Sequence, residues 1–502
     1  MDRRFQSALD VNQIPVYRLM GFLLLVLFSV LYWITLAPTV LWGDSAKLSV
    51  YVKEMYFASD PVGNHMLHTL FGKLFSFLPV GDFAYRQNLM SACFGIATLV
   101  VFYSVMGELL RDRMAAFLAL LCLGISHTFW LVSVINESYS LFTFLFVSGL
   151  FLWFRWEKTG RSRYLYLHFF LMGLSFLNNL LGGFTFLMTF LLLVSSPQGR
   201  RWSASWKGIF GFLLFLVALS PIAVLSVTQT AVKPGVYAWF LRPKGLLHEL
   251  IFYPAYLFYQ FPLFGFIAGF IGLKVLFRER RQLFWSLSIL FVLDIMFAST
   301  YMRQRRFFLF LPSYLAFTVW IGFGIREMSS RLRHSPVLLR GSVVCGTILL
   351  PILIYLGLPP LAERFHLDLV RGRQLAFRDN NRFYLNPVKR DEFGPRDYGL
   401  KALEVAKPNS LIIGDFTPAM VLLYYQVVEG QRPDVSIETK IDQYVRSPQK
   451  REELYATISK ELKKRPVYIA DNEESYYRVR ELKRRFDVVP WGPLWEIRRR
   501  DI

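Results

Sequence analysis

Residues 36–78 read LAPTVLWGDSAKLSVYVKEMYFASDPVGNHMLHTLFGKLFSFL. An apolar run at 17–37 precedes them, long enough to span a bilayer, which takes roughly 20 residues. The stretch then sets three acids, Asp44, Glu54 and Asp60, beside apolar residues at helical spacing. Acids at a membrane are costly unless function or a partner holds them there. The stretch therefore reads as the polar first loop of a membrane protein, and as the place to look for chemistry.

Within it, residues 45–57 fit one helix with Asp44 or Ser45 as its cap. Pro61 and Gly63 break the chain. Leu67, Leu70, Phe71, Leu74, Phe75 and Leu78 then recur at helical spacing, with His65, Thr69, Lys73 and Ser76 on the other side. Such a helix lies in the membrane interface. Asp44 falls at the outer end of the first span, where partial desolvation raises a carboxylate's basicity. It is placed to take a proton from an attacking hydroxyl. Spacing alone leaves open that Asp44 only caps a helix.

The rest of the chain supports a membrane setting. Of its 502 residues, 54% are hydrophobic and 17% aromatic, too apolar for an ordinary soluble protein. Ten further spans are expected, at 86–109, 114–133, 138–154, 164–179, 182–195, 207–226, 259–276, 282–300, 307–325 and 339–358, eleven in all. Alternate connections are rich in Lys and Arg, as the positive-inside rule requires, which puts the N-terminus in the cytoplasm. The net charge is +21, and residues before Pro359 carry 30 bases against 14 acids. Bases scattered between spans fit topology rather than nucleic acid, which is not an expected partner. At 17–37 an uncleaved first helix is preferred to a signal peptide, whose apolar core is shorter. Cys93, Cys122 and Cys345 lie in apolar runs, without metal-site spacing.

Two domains are expected: a membrane domain at 1–358, with interfacial helices in its first outer loop (38–85), and a soluble unit at 359–502. In the latter, strands near 409–414, 434–438, 466–470 and 486–489 alternate with helices at 418–429 and 449–464, which suggests a small α/β domain.

Other polar residues gather on the same outer side. Asn136, Glu137 and Tyr139 occupy a short turn between spans, and a Glu at that depth is a candidate to face a cavity. Tyr237, Trp239 and Arg242 lie in the third outer loop and suit sugars, phosphates or any membrane interface. Arg303, Arg305 and Arg306 break the charge rule by lying outside. They match the acids of the first loop, lipid head groups, or the phosphate of a lipid-linked donor. No cofactor motif is present. The one metal arrangement open to the chain is a divalent cation on His65, His68 and Asp60, at loose spacing.

At these residues the chain resembles a family. Ala37-Pro38-Thr39-Val40, Gly43-Asp44-Ser45-Ala46-Lys47-Leu48, Asp60-Pro61-Val62-Gly63, Phe71-Gly72-Lys73-Leu74-Phe75-Ser76 and Tyr85-Arg86-Gln87-Asn88-Leu89 are similar, in order, to the first-loop motifs of a bacterial polytopic family. That family is related to the animal transmembrane O-mannosyltransferase and lies within the GT-C superfamily of polyprenyl-phosphate-sugar-dependent glycosyltransferases. Asn136-Glu137-Ser138-Tyr139, FFLFLPSY at 307–314, Asp415, Tyr424-Tyr425 and Gly430-Gln431-Arg432-Pro433-Asp434-Val435 resemble its later motifs.

The resemblance implies a GT-C fold, a lipid-linked donor, inverting transfer, and Asp44 as the base. Two departures stand out: Lys47 replaces an acid of the family pattern and Asp60 replaces a histidine, and the two are expected to pair. Lys47, Asp60, His65, Asn136, Glu137, Tyr139, Tyr237, Trp239 and Arg242 are the expected substrate-binding set. Arg303, Arg305 and Arg306 are expected to bind the donor phosphate.

The expectation is thus a mainly α polytopic membrane protein of GT-C type, with about eleven transmembrane helices and a C-terminal extracytoplasmic α/β domain. It sits in the bacterial inner membrane. It moves a hexose such as mannose from a polyprenyl-phosphate donor to a hydroxyl of a protein, lipid or polysaccharide. The competing class is a non-catalytic membrane protein, either a lipid-sugar transporter or an envelope assembly scaffold. A transporter would place its polar residues nearer the bilayer midplane.

Overall fold

The computed structural model describes residues 14–58, 65–228, 246–300, 306–331, 337–370, 372–439, 441–444 and 447–500. The chain opens with α1 (Ile14–Thr35), apolar on almost every face. The first loop then folds into α2 (Asp44–Glu54) and α3 (Met66–Phe75). Next come α4 (Phe83–Leu110), α5 (Arg113–Ile125), α6 (His127–Val134) and α7 (Tyr139–Thr159). Asp82 and Asp112 start α4 and α5 by accepting hydrogen bonds from the Tyr85 and Ala115 amides, donors that a helix start would otherwise leave unpaired.

Then follow α8 (Ser162–Asn178), α9 (Gly182–Ser195), α10 (Pro197–Ser203) and α11 (Trp206–Thr228). Beyond them lie α12 (Leu246–Gln260), α13 (Phe264–Glu279), α14 (Arg281–Thr300), α15 (Leu311–Arg331) and α16 (Val337–Arg364). A tight 3-10 turn, Arg306–Phe310, leads into α15.

Among the described residues six helices are long and apolar enough to cross a membrane, or nine if each of three bent pairs makes one span. The bends are 64° between α5 and α6, 76° between α10 and α11, and 111° between α12 and α13. Every expected span lands on a helix, but eleven full crossings exceed this count. The shortfall is α8 and α9, at 17 and 14 residues, shorter than the roughly 20 residues a crossing takes. The sharpest bend turns at Leu263, whose φ is +48°. It makes α12 a separate apolar helix in what the sequence presents as an outer connection.

In the C-terminal region α17 (Asn380–Leu385) and α18 (Gly394–Val405) lead to β1 (Leu411–Ile413), α19 (Phe416–Leu423), β2 (Ser436–Glu438), α20 (Ile441–Tyr444) and α21 (Pro448–Glu461). β3 (Val467–Ile469), α22 (Glu474–Tyr477), α23 (Val479–Arg485), β4 (Phe486–Trp491) and β5 (Leu494–Arg499) complete it. The sheet order is β2-β1-β3-β5-β4. β1 pairs in parallel with β2 and β3, while β5 runs antiparallel to β3 and β4. β1 is buried on both faces, hence its unbroken Leu-Ile-Ile. β5 has no counterpart among the expected strands. The composition change at Pro359 falls inside α16, which continues through both prolines to Arg364.

Two cores hold the molecule together, one among the membrane helices and one around the sheet. The second also takes in Val40, Trp42, Ala46 and Ala84 of the first loop. The loop is thus sandwiched. Below it, Asn88 Nδ2 donates to the Ala37 and Thr39 carbonyls, and Trp130 Nε1 to Thr35 Oγ1. Above it, the Trp42 ring lies 5.3 Å from that of Tyr398, and the Lys389 amide donates to the Thr35 carbonyl.

Candidate active site

α2 begins abruptly. Gly43 has φ +67° and ψ −118°, a conformation open to glycine, and no side chain caps the helix. Asp44 is therefore the first residue of α2 rather than its cap. Its Oδ1 lies 2.6 Å from Lys47 Nζ, one turn on. The Lys47 ammonium also stands 5.7 Å from the Tyr51 ring centre and 5.6 Å from that of Phe416, which belongs to α19. Burial works against its charge, but Asp44, Tyr51 and Glu137 more than offset this and raise its pKa.

Asp44 and Lys47 line a cleft. Asp44, Lys47, His65, Glu137 and Tyr139 form its polar wall, and Leu180, Leu181, Phe297 and Leu309 an apolar one. Glu137 is half-buried beside Asp44, and desolvation and that neighbour push its carboxyl well above the usual range, against the pull of Lys47. His65 is held down to about 3, chiefly by burial and by Lys47. Its Nδ1 lies 2.9 Å from the Asn178 carbonyl. A carbonyl only accepts, so Nδ1 carries the proton and Nε2 is an acceptor.

A second tier holds this wall in place. Asn136 Nδ2 donates to the Ser45 carbonyl and to Ser49 Oγ at 3.1 and 3.0 Å, and its Oδ1 accepts from His68 Nε2 at 2.9 Å. One amide thus ties α2, α3 and the α6–α7 turn together. Asn178 Nδ2 donates to the Ser138 carbonyl and Asn179 Nδ2 to Ser138 Oγ, which fastens the α8–α9 turn to Glu137. The sequence shows these asparagines only as an interruption in an apolar run. A pair of amides between two short apolar helices was the available signal.

The structure brings Asp44, Lys47, His65, Asn136, Glu137 and Tyr139 together. Asp60, Tyr237, Trp239, Arg242, Arg303 and Arg305 lie outside the described residues, and with Asp60 the expected pairing to Lys47. Arg306 opens the 3-10 turn, whose Phe308 stacks on Tyr139 at 5.6 Å and whose Leu309 lines the cleft. Among the described residues no three His, Cys, Asp or Glu side chains are grouped to hold a metal.

The C-terminal part of the motif series does another job. Arg432 Nη1 donates to the Leu403 and Ala406 carbonyls at the end of α18, and its Nε to Asp434 Oδ1 at 2.8 Å. Asp434 in turn accepts from the Asn409 amide. This is a clasp within the α/β unit, and its hydrogen bonds to Arg432 and Asn409 hold the Asp434 carboxyl far below the usual range.

The architecture shares its fold with solved structures of two other proteins. ArnT from Cupriavidus metallidurans in the apo state superposes with a TM-score of 0.57 at 14% identity, covering 95% of this chain and 97% of that one. The same protein bound to undecaprenyl phosphate gives 0.57 at 12% identity, covering 97% and 98%. The Archaeoglobus fulgidus oligosaccharyltransferase in the apo form gives 0.54 at 12%, covering 94% and 71%. At these identities the likeness is one of fold. More particularly, residues 61–203 match the family described as Protein O-mannosyl-transferase TMEM260 N-terminal domain. The resemblance read from the first loop is thus met by the fold and by a family match over part of the chain. No curated protein matches it.

Proposed function

We propose that the protein is an integral-membrane glycosyltransferase that moves a sugar from a polyprenyl-phosphate donor to an acceptor hydroxyl. The observation that carries this reading is the single cleft in which Asp44, Lys47, Glu137 and His65 face an apolar wall. The polar side suits a sugar and its phosphate, and the apolar side the first units of a prenyl chain. The undecaprenyl phosphate bound by ArnT and the O-mannosyl-transferase family match support it.

Asp44 is the base. The acceptor hydroxyl attacks the anomeric carbon as its proton passes to Asp44, and the bond to the donor phosphate breaks on the opposite face. One displacement inverts that carbon. Lys47, with Arg303, Arg305 and Arg306, stabilises the charge gathering on the departing phosphate. Glu137 keeps its proton and donates to a sugar hydroxyl, while His65 Nε2 accepts from another. The cleft opens on the outer face of a bacterial inner membrane, beneath the C-terminal unit.

The test is to incubate purified protein with polyprenyl-phosphate mannose and related hexose donors, with and without chelator, and to follow polyprenyl phosphate release. Release by wild type and not by Asp44→Asn is expected. No release with any donor, from protein that stays folded and binds none of them, would favour the scaffold reading.

A further inference from the structure

A second and wider cleft opens at the far end of the helix bundle. α7 gives the separation. Tyr139 lies in the candidate active site and Trp153 in this cleft, 14 residues on, about 21 Å at the helical rise. α14 runs the other way, from Leu283 here to Phe297 there.

The floor of this cleft is apolar, with Trp153, Leu192 and Leu283 all buried. Its rim carries Arg111, Arg280, Arg281 and Arg326 against two acids, Glu157 and Glu279. Arg326 is committed to the walls: its Nη2 lies 2.5 Å from Glu279 Oε1, and its Nη1 donates to the Leu110 carbonyl at 3.1 Å. Arg280 and Arg281 sit where α13 ends and α14 begins, and Arg281 rests on the Phe277 ring at 5.3 Å.

Ordinary topology accounts for basic residues in a loop. It does not account for an apolar floor directly beside them, walled by the ends of several helices. A free phosphate would match the charged rim alone. A lipid head group matches both, because basic pockets between membrane helices take lipid phosphates and the arginine fork pairs with them in a directed way.

We propose that this bowl binds the phosphate head group of an anionic membrane phospholipid, with Arg280 and Arg281 on the phosphate and the start of the acyl chains over Trp153 and Leu283. The site is distinct from the transfer chemistry and stands whether or not the chain is a transferase.

The test uses the full chain, purified in detergent and titrated with phosphatidylglycerol or phosphatidylcholine, with retained lipid read by native mass spectrometry. Phosphatidylglycerol should be retained in preference to phosphatidylcholine. Arg280→Gln with Arg281→Gln should lower that retention roughly tenfold, and each single change should lower it several-fold, so the result survives a poorly folded double variant. Arg161→Gln with Arg163→Gln, exposed bases at the start of α8, should leave it unchanged. Equal losses from both double variants, equal retention of phosphatidylcholine, or displacement of the lipid by millimolar inorganic phosphate would each overturn the proposal.

Discussion

At the scale of single residues, the proposed chemistry turns on how Asp44 and Glu137 divide their labour. Asp44 is ion-paired with Lys47 at 2.6 Å, whereas burial and Asp44 itself push the Glu137 carboxyl well above its usual range. Asp44→Asn keeps size and shape but cannot accept a proton. Polyprenyl phosphate release should fall by about 10²–10⁴-fold, and wild-type turnover in the folded variant would refute the base assignment. Glu137→Gln keeps a neutral donor in the same place, so turnover should stay within a few-fold, while Glu137→Ala should lose tenfold or more. Equal losses in both would mean that Glu137 works as an anion. Asp44 was legible in the sequence because motif and topology agreed on it. The ion pair of Lys47 was not, since its partner is a neighbour one turn away and the motif drew attention to Asp60. Asn178 and Asn179 were not legible as site residues, because nothing in a one-dimensional pattern says that the α8–α9 turn folds back onto Glu137.

Among the elements, α3 shows how periodicity finds a helix and its apolar stripe. The apolar stripe was legible, but Leu70, Leu74 and neighbouring Phe77 are exposed while His68 and Thr69 are buried. An interfacial helix turns its apolar side to lipid and its small and polar side to protein, the reverse of a soluble core. The sharp bends at Ser126 and Leu263 had no sequence signature, and β5 hid among basic residues. The buried face of α3 makes a pH prediction. Burial holds His68 at about 4 and His65 at about 3, against 6.5 when free. Both are therefore neutral in the folded state. Their contribution is complete above pH 6.5 and is lost as pH falls from 6.5 toward 4 and 3, since the detached helix binds the protons. Hydrogen exchange of the α3 amides, corrected for intrinsic rate, should accelerate between pH 6 and 4 more than that of α4. Parallel behaviour of the two helices would contradict it. In the same range the pH–rate profile should show no step at the ordinary histidine value.

For the whole molecule, the two-part division read from composition misses how closely the parts are joined. The α/β unit was legible as alternating strands and helices, but its core closes only with Val40, Trp42, Ala46 and Ala84 of the first loop. The join passes through the carboxyl ends of β1 and β3. There Arg373 bridges Asp415 and Asp471 at 2.6 and 2.5 Å, and Tyr477 donates to Asp415 Oδ1 at 2.6 Å. Asp415 starts α19 by accepting from the Thr417 amide, which sets Phe416 over Lys47 and against Gly43. Arg373→Met leaves two buried carboxylates without their cation, a change that costs about 3–5 kcal/mol, so the variant should melt earlier whatever its activity. Phe416→Leu separates stability from positioning. Leucine keeps most of the apolar contact but removes the ring face that attracts the ammonium, worth about 0.5–2 kcal/mol. If the C-terminal unit holds Lys47 on the donor phosphate, Phe416→Leu should melt within a degree or two of wild type yet lose several-fold in turnover. The loss should vanish in a Lys47→Met background, where no ammonium remains to be held. A Phe416→Leu variant with wild-type turnover, or one whose loss persists without Lys47, would mean that the unit covers the cleft without tuning its chemistry.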